Sequence, residues 1–200
     1  MKKVIYILHV FIFIFFSASI FAQTAQQSLE TIIDEQGAIE LYKNDKNFSL
    51  KNEKNSGDLN RRYTIATEAL ERIITSGSAE QIKAAKIYSI TVKNLIADIY
   101  RRTSEWQISL NFSKEAEEFI LAFKSSDFPV VFKIKGQDYQ YTFDLIEISK
   151  RELFFNKACS FYNQGKDSLP GYDAHPELNR NKSTYTKEKF KEAFVVGNNY

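Results

Sequence analysis

Apolar residues return at intervals of three and four along Ile82, Ala85, Tyr88, Val92, Leu95, Ile96 and Ile99. Any fold of this chain must satisfy that spacing first. At 3.6 residues per turn it gathers the seven side chains into one stripe, which needs apolar cover. Ser78, followed three residues later by Gln81, is a capping-box pattern, so the sequence predicts a long helix from there to about Arg102. A second stripe, Trp106, Ser109, Phe112, Ala116, Phe119, Ile120 and Phe123, follows Thr103 and Ser104 closely enough for the two helices to form an antiparallel pair. Upstream, Leu59, Tyr63, Ala66, Leu70, Ile73 and Ile74 repeat the pattern, with Asp58 as the expected cap and Gly77 as the expected stop.

Leu29, Ile32, Ile33, Ile39 and Tyr42 predict a further helix over 27–43, with Gly37 weakening its middle. The stretch 44–57 is rich in Asn, Lys and Ser without a period that buries a face, and reads as a flexible linker. At 130–143 the period drops to two. Val130, Phe132 and Ile134 alternate with lysines, Tyr139, Tyr141 and Phe143 alternate with Gln140 and Thr142, and a turn at Gly136 makes a β-hairpin. Helix resumes over 144–164, with Leu145, Ile148, Leu153, Phe154, Ala158, Phe161 and Tyr162 as the expected buried face and Gly165 as the stop. A loop with Pro170, Gly171 and Pro176 leads to a short last helix from Thr186, carrying Phe190, Ala193 and Phe194. The expected class is mainly α, built of antiparallel helical hairpins with one inserted β-hairpin.

The start of the chain has a different purpose. Lys2 and Lys3, an apolar run from Val4 to Phe16, and small residues Ser17, Ala18 and Ser19 leading to Ala22 form the three parts of a secretory signal peptide, expected to be cut after Ala22 or, because Ile20 is bulky, after Ser19. The expected divisions are a signal peptide at 1–22, an N-terminal helix and linker at 23–57, and a helical domain at 58–200. No stable membrane span is expected after cleavage. The formal charge of +2 comes from 27 basic and 25 acidic residues, and Lys2 and Lys3 account for the excess. A balanced exported chain lacks the basic surplus that phosphate binding needs, so nucleic acid is not expected as a partner. Cys159 is the single cysteine, so no intrachain disulfide forms and stability must come from packing.

Motifs of chemistry are sparse. His175, between Asp173 and Glu177, is the one histidine beyond the signal segment, and no second histidine or HExxH pattern accompanies it. Cys159 lies between Ala158 and Phe161, where a thiol serves as a small hydrophobe. Gly165 and Lys166 lack the upstream glycine of a phosphate loop. Neither a metal, a cofactor nor a catalytic group is expected. An alternative function, a small-ligand or hydrolytic site, would lie near Tyr139, Tyr141 and the His175 loop.

Ile96, Ala97, Tyr100, Trp106, Ser109 and Ala116 fall on the large, small, aromatic, aromatic, small and small positions of one repeat unit. Asn156, Ala158, Phe161 and Gly165 match its first half a second time. In these stretches the chain resembles the tetratricopeptide repeat proteins, with Ser113 where a large residue usually stands and the hairpin between the two matches. The resemblance implies a ligand-facing helix face at Asn94, Asp98, Arg101 and Arg102, joined by Asn156 and Asn163, that clasps an extended peptide or its carboxylate. The expected function is an exported, non-catalytic module binding a protein or peptide, in the periplasm or secreted.

Overall fold

The computed structural model describes residues 24–167, 188–189 and 191–196. The expected signal segment, the His175 loop and the expected start of the last helix at Thr186 lie outside the described residues. The described chain is mainly helical, with six helices and one two-stranded antiparallel sheet. We number the helices α1 (24–44), α2 (Glu53–Ser76), α3 (Ala79–Arg102), α4 (Trp106–Ala122), α5 (Phe143–Asp167) and α6 (described at 188–189 and 191–196). The strands are β1 (Val130–Ile134) and β2 (Gln137–Tyr141). Among the described residues no helix is long and apolar enough to cross a membrane.

Helix α3 is the axis of the fold, touching α2, α4, α5 and β1. Its start carries the capping box, with the Ser78 hydroxyl accepting from the Gln81 backbone N–H and the Gln81 side chain accepting from the Ser78 N–H. Every residue from Val92 to Tyr100 is buried, so this half of the helix is covered on all sides rather than along one stripe. Small residues let α4 approach it. Ser109 is fully buried and its hydroxyl donates to the Ala97 carbonyl at 2.8 Å, with Ala97 and Ala116 equally inaccessible. Ser160 of α5 donates to the Ser109 hydroxyl at 3.1 Å, which brings the third helix to the same crossing.

The hairpin forms as the alternation predicts, with Phe132 opposite Tyr139 and Val130 opposite Tyr141. Lys135 and Gly136 both have positive φ, the requirement of a tight two-residue turn. Val130, Phe132 and Ile134 are buried, and Tyr88 of α3 meets the rings of Phe132 and Tyr141 edge-on. Helix α1 braces the other side, where Gln26 donates to the Lys133 carbonyl at 2.8 Å and Glu30 accepts the Lys135 N–H at 3.0 Å. The second strand ends at Tyr141, so Phe143 begins α5 instead of continuing the alternation.

Three sequence expectations are corrected. The stretch 44–57 is not a long linker: α2 begins at Glu53, capped by Asn52, and Asp58 lies inside it. Phe48 stacks on Tyr42 at 4.8 Å, which ties the remaining connection to α1. Gly165 does not stop α5, which continues to Asp167. The buried face of α5 is also different, because Ile146, Leu153, Asn156 and Ser160 face inward while Leu145, Ile148 and Tyr162 are exposed. Apolar residues occur on two sides of α5, so periodicity alone could not choose, and polar partners on α3 and α4 decided the face.

Gly77 does end α2, but through space rather than a left-handed φ. Its φ is −83°, and an added Cβ would lie 2.7 Å from the Ile73 carbonyl oxygen and 2.9 Å from Ile73 Cγ2. Gly57, inside α2, has nothing within 4 Å of such a Cβ. We expect Gly77→Ala to cost about 1–2 kcal/mol and Gly57→Ala to add roughly 0.5–1 kcal/mol, with urea unfolding of the two variants moving in opposite directions.

Candidate functional site

The last turn of α3 places Asp98, Arg101 and Arg102 on one face, since residues three and four apart are neighbours. Two cations there also complement the negative end of the helix dipole. Asp98 is 6% exposed, and a carboxylate so buried must be matched by charge. Arg101 donates to its Oδ1, Arg102 Nη2 stands 2.7 Å from its Oδ2, and Lys43 Nζ from the end of α1 lies 4.0 Å away. The Oδ2 is therefore held by close charge, without an aligned hydrogen bond. Arg102 Nη1 also donates to the Lys43 carbonyl at 3.1 Å, pinning the end of α1 to the end of α3.

Helix α5 closes the other side. Arg101 Nε donates to Asn156 Oδ1 at 3.0 Å, and Asn156 Nδ2 reaches back toward the Asn94 carbonyl at 3.4 Å. Asn94 Nδ2 donates to the Ser149 carbonyl at 3.0 Å, while its Oδ1 is buried without a hydrogen-bond partner. The Arg101 guanidinium lies 5.3 Å from the centre of the Phe155 ring. Around these groups is a cavity of about 210 Å³ lined by Lys43, Asn94, Leu95, Asp98, Arg101, Arg102, Glu152, Phe155 and Asn156. A second cavity of about 430 Å³ adjoins it across Lys43 and Arg102, and takes its remaining walls from Tyr42, Asn44, Asp45, Lys46, Phe48, Ile99 and Thr103.

Five of the six sequence-designated residues, Asn94, Asp98, Arg101, Arg102 and Asn156, thus meet at one cavity. Asn163 does not join them: its Nδ2 donates to the Cys159 carbonyl of its own helix at 2.8 Å. Nor do the five form an open ligand-facing strip, because Asn94, Asp98 and Asn156 are buried at the contact of α3 with α5. Sequence reasoning missed Lys43, Tyr42, Lys46 and Phe48, since it placed the latter two in a flexible linker. The aromatic Phe48 within that polar stretch was the available signal.

Other candidates behave as structure. Tyr139 stacks on Phe132 and Tyr141 packs on Tyr88, so both complete the hairpin's apolar face, and the His175 half of that alternative lies outside the described residues. Cys159 is half-buried, and burial pushes its thiol pKa up, away from nucleophilic use. Among the described residues no group of His, Cys, Asp and Glu has the arrangement to hold a metal ion. No known protein family, curated protein or solved structure matches the chain.

Beside the second cavity, Tyr42 donates to Asp58 Oδ2, which also accepts from Arg62 Nε at 3.1 Å, and Arg61 Nη2 donates to Asp58 Oδ1 at 2.7 Å. These bonds, that of Tyr42 foremost, hold the Asp58 carboxyl at a pKa of about 2, below the ordinary 3.8. A depressed folded pKa means that the stabilisation is present above about pH 4 and is lost as the pH falls toward 2. We expect Asp58→Asn to flatten that limb of a melting-temperature profile against pH. We expect Arg101→Ala to cost roughly 2 kcal/mol in thermal or urea unfolding, because it removes one partner from buried Asp98 and another from Asn156. Arg102→Ala, at a side chain 50% exposed, costs about 1 kcal/mol or less.

Proposed function

We propose that this protein is an exported, non-catalytic binding module that holds an extended segment of another protein, or a peptide, in the furrow between α3, α5 and the end of α1. The observation that carries the reading is the cavity beside Asp98. Three cations, Lys43, Arg101 and Arg102, face two carboxylates in its lining, the buried Asp98 and the exposed Glu152, and the buried Asn94 Oδ1 is left without a donor. A polypeptide end supplies what both lack, a carboxylate for the surplus positive charge and a backbone N–H for the amide oxygen.

Further support comes from the architecture. Ala97, Ser109 and Ala116, on small positions of the tetratricopeptide-like stretch, are fully buried where α3 and α4 cross. A repeat-type helical hairpin followed by α5 as the first arm of a second unit is consistent with that packing. Export rests on the charged, apolar and small-residue succession at 1–22.

Arg102→Ala is the informative variant, since it strips a half-exposed cation from the cavity while leaving Arg101 on Asp98. We expect it to weaken binding of peptides with a free C-terminal carboxylate by about tenfold in fluorescence anisotropy, with its melting curve nearly unchanged. Equal binding of free and amidated peptides by both proteins would sink the proposal.

A further inference from the structure

The furrow does not end at the second cavity. A third, of about 390 Å³, shares Tyr42 with the second and is lined also by Lys54, Asn55, Gly57, Asp58 and Arg61. The three cavities are neighbours in a row, the first and second sharing Lys43 and Arg102 and the second and third sharing Tyr42. Of the acidic groups along it, Glu152 of the first cavity is exposed and makes no ion pair among the described residues, and the other three are held by partners. Asp98 is matched by Arg101 and Arg102, Asp58 by Tyr42, Arg61 and Arg62, and Asp45 Oδ1 accepts the Asn47 backbone N–H at 2.8 Å.

The lysines are in the opposite condition. Lys46 in the second cavity and Lys54 in the third are exposed and make no ion pair among the described residues, while Lys43 has only the 4.0 Å approach to Asp98. Lysines with spare charge thus line successive cavities, and the stacked rings of Tyr42 and Phe48 line the second. We propose that this three-cavity path is the binding track for an extended acidic polypeptide segment, whose side-chain carboxylates are met in turn by Lys43, Lys46 and Lys54. This rests on the peptide-binding reading above and names the chemistry of the partner. Charge complementarity of this exposed kind sets partner choice and encounter rate, and weakens with salt.

Fluorescent Glu-Gly, Ser-Gly and Lys-Gly repeat peptides with free C-termini, titrated against the wild-type chain and a Lys46→Glu/Lys54→Glu variant, provide the test. Both lysines are exposed, so the variant should fold, and circular dichroism checks that it does. The wild type should prefer the Glu-Gly peptide, the variant should bind it about tenfold more weakly, and added salt should erase most of the difference. If all three peptides bind alike and the double variant binds as the wild type does, the acidic track is wrong while peptide binding beside Asp98 stands. If no peptide of any charge binds the wild type, both readings fall.

Discussion

Helix α3 is sequestered from Val92 to Tyr100, and most of the structure answers to that fact. A helix covered on all sides cannot keep its polar residues in water, yet this stretch contains Lys93, Asn94 and Asp98. Each must be satisfied by a neighbour or cost several kcal/mol. Lys93 finds Glu115 of α4 and the Tyr63 hydroxyl of α2, Asn94 finds the Ser149 carbonyl of α5, and Asp98 finds Arg101, Arg102 and Lys43. The polar residues of α3 consequently fix which helix lies on which side. Removal of one partner leaves a buried group unpaired, so these contacts specify arrangement more than they add net stability.

The same requirement explains why the candidate site sits at the end of α3. Toward its C-terminus the helix emerges from beneath α5 and α1, and the two arginines there face in both directions at once. Arg101 turns inward to Asp98 and Asn156, whereas Arg102 spans the boundary, touching Asp98 and the Lys43 carbonyl with half of its side chain in solvent. A buried carboxylate with a surplus of cations leaves positive potential at the mouth of the furrow. That surplus, and not an exposed polar stripe, is what the proposed binding of a carboxylate rests on.

Packing of α5 shows how polar contacts override apolar patterning. Ser160 reaches Ser109, Lys157 reaches Glu117 at 2.7 Å, and Asn156 reaches Arg101, so the inward face is largely polar. Ile146 and Leu153 are its main apolar anchors. Leu145 and Ile148 remain partly in solvent because the neighbours they would need are not on that side.

By itself the sequence determined that α1 to α5 and the hairpin with its turn at Gly136 exist, though not where α2 starts or α5 ends, because their existence follows from local periods of 3.6 and 2 and from turn chemistry within a few residues. Through the repeat resemblance it also marked Asn94, Asp98, Arg101, Arg102 and Asn156 as belonging together, along with Asn163, which does not join them. What only the tertiary structure decided was that three of these are buried, that Lys43, Tyr42, Lys46 and Phe48 complete the furrow, and which face of α5 turns inward. Those outcomes depend on contacts between residues more than fifty positions apart, such as Arg101 with Asn156 and Arg102 with Lys43. A periodic pattern says which residues share a face, but the choice between two faces is made by the partner across the gap, and that partner is set only when the helices pack.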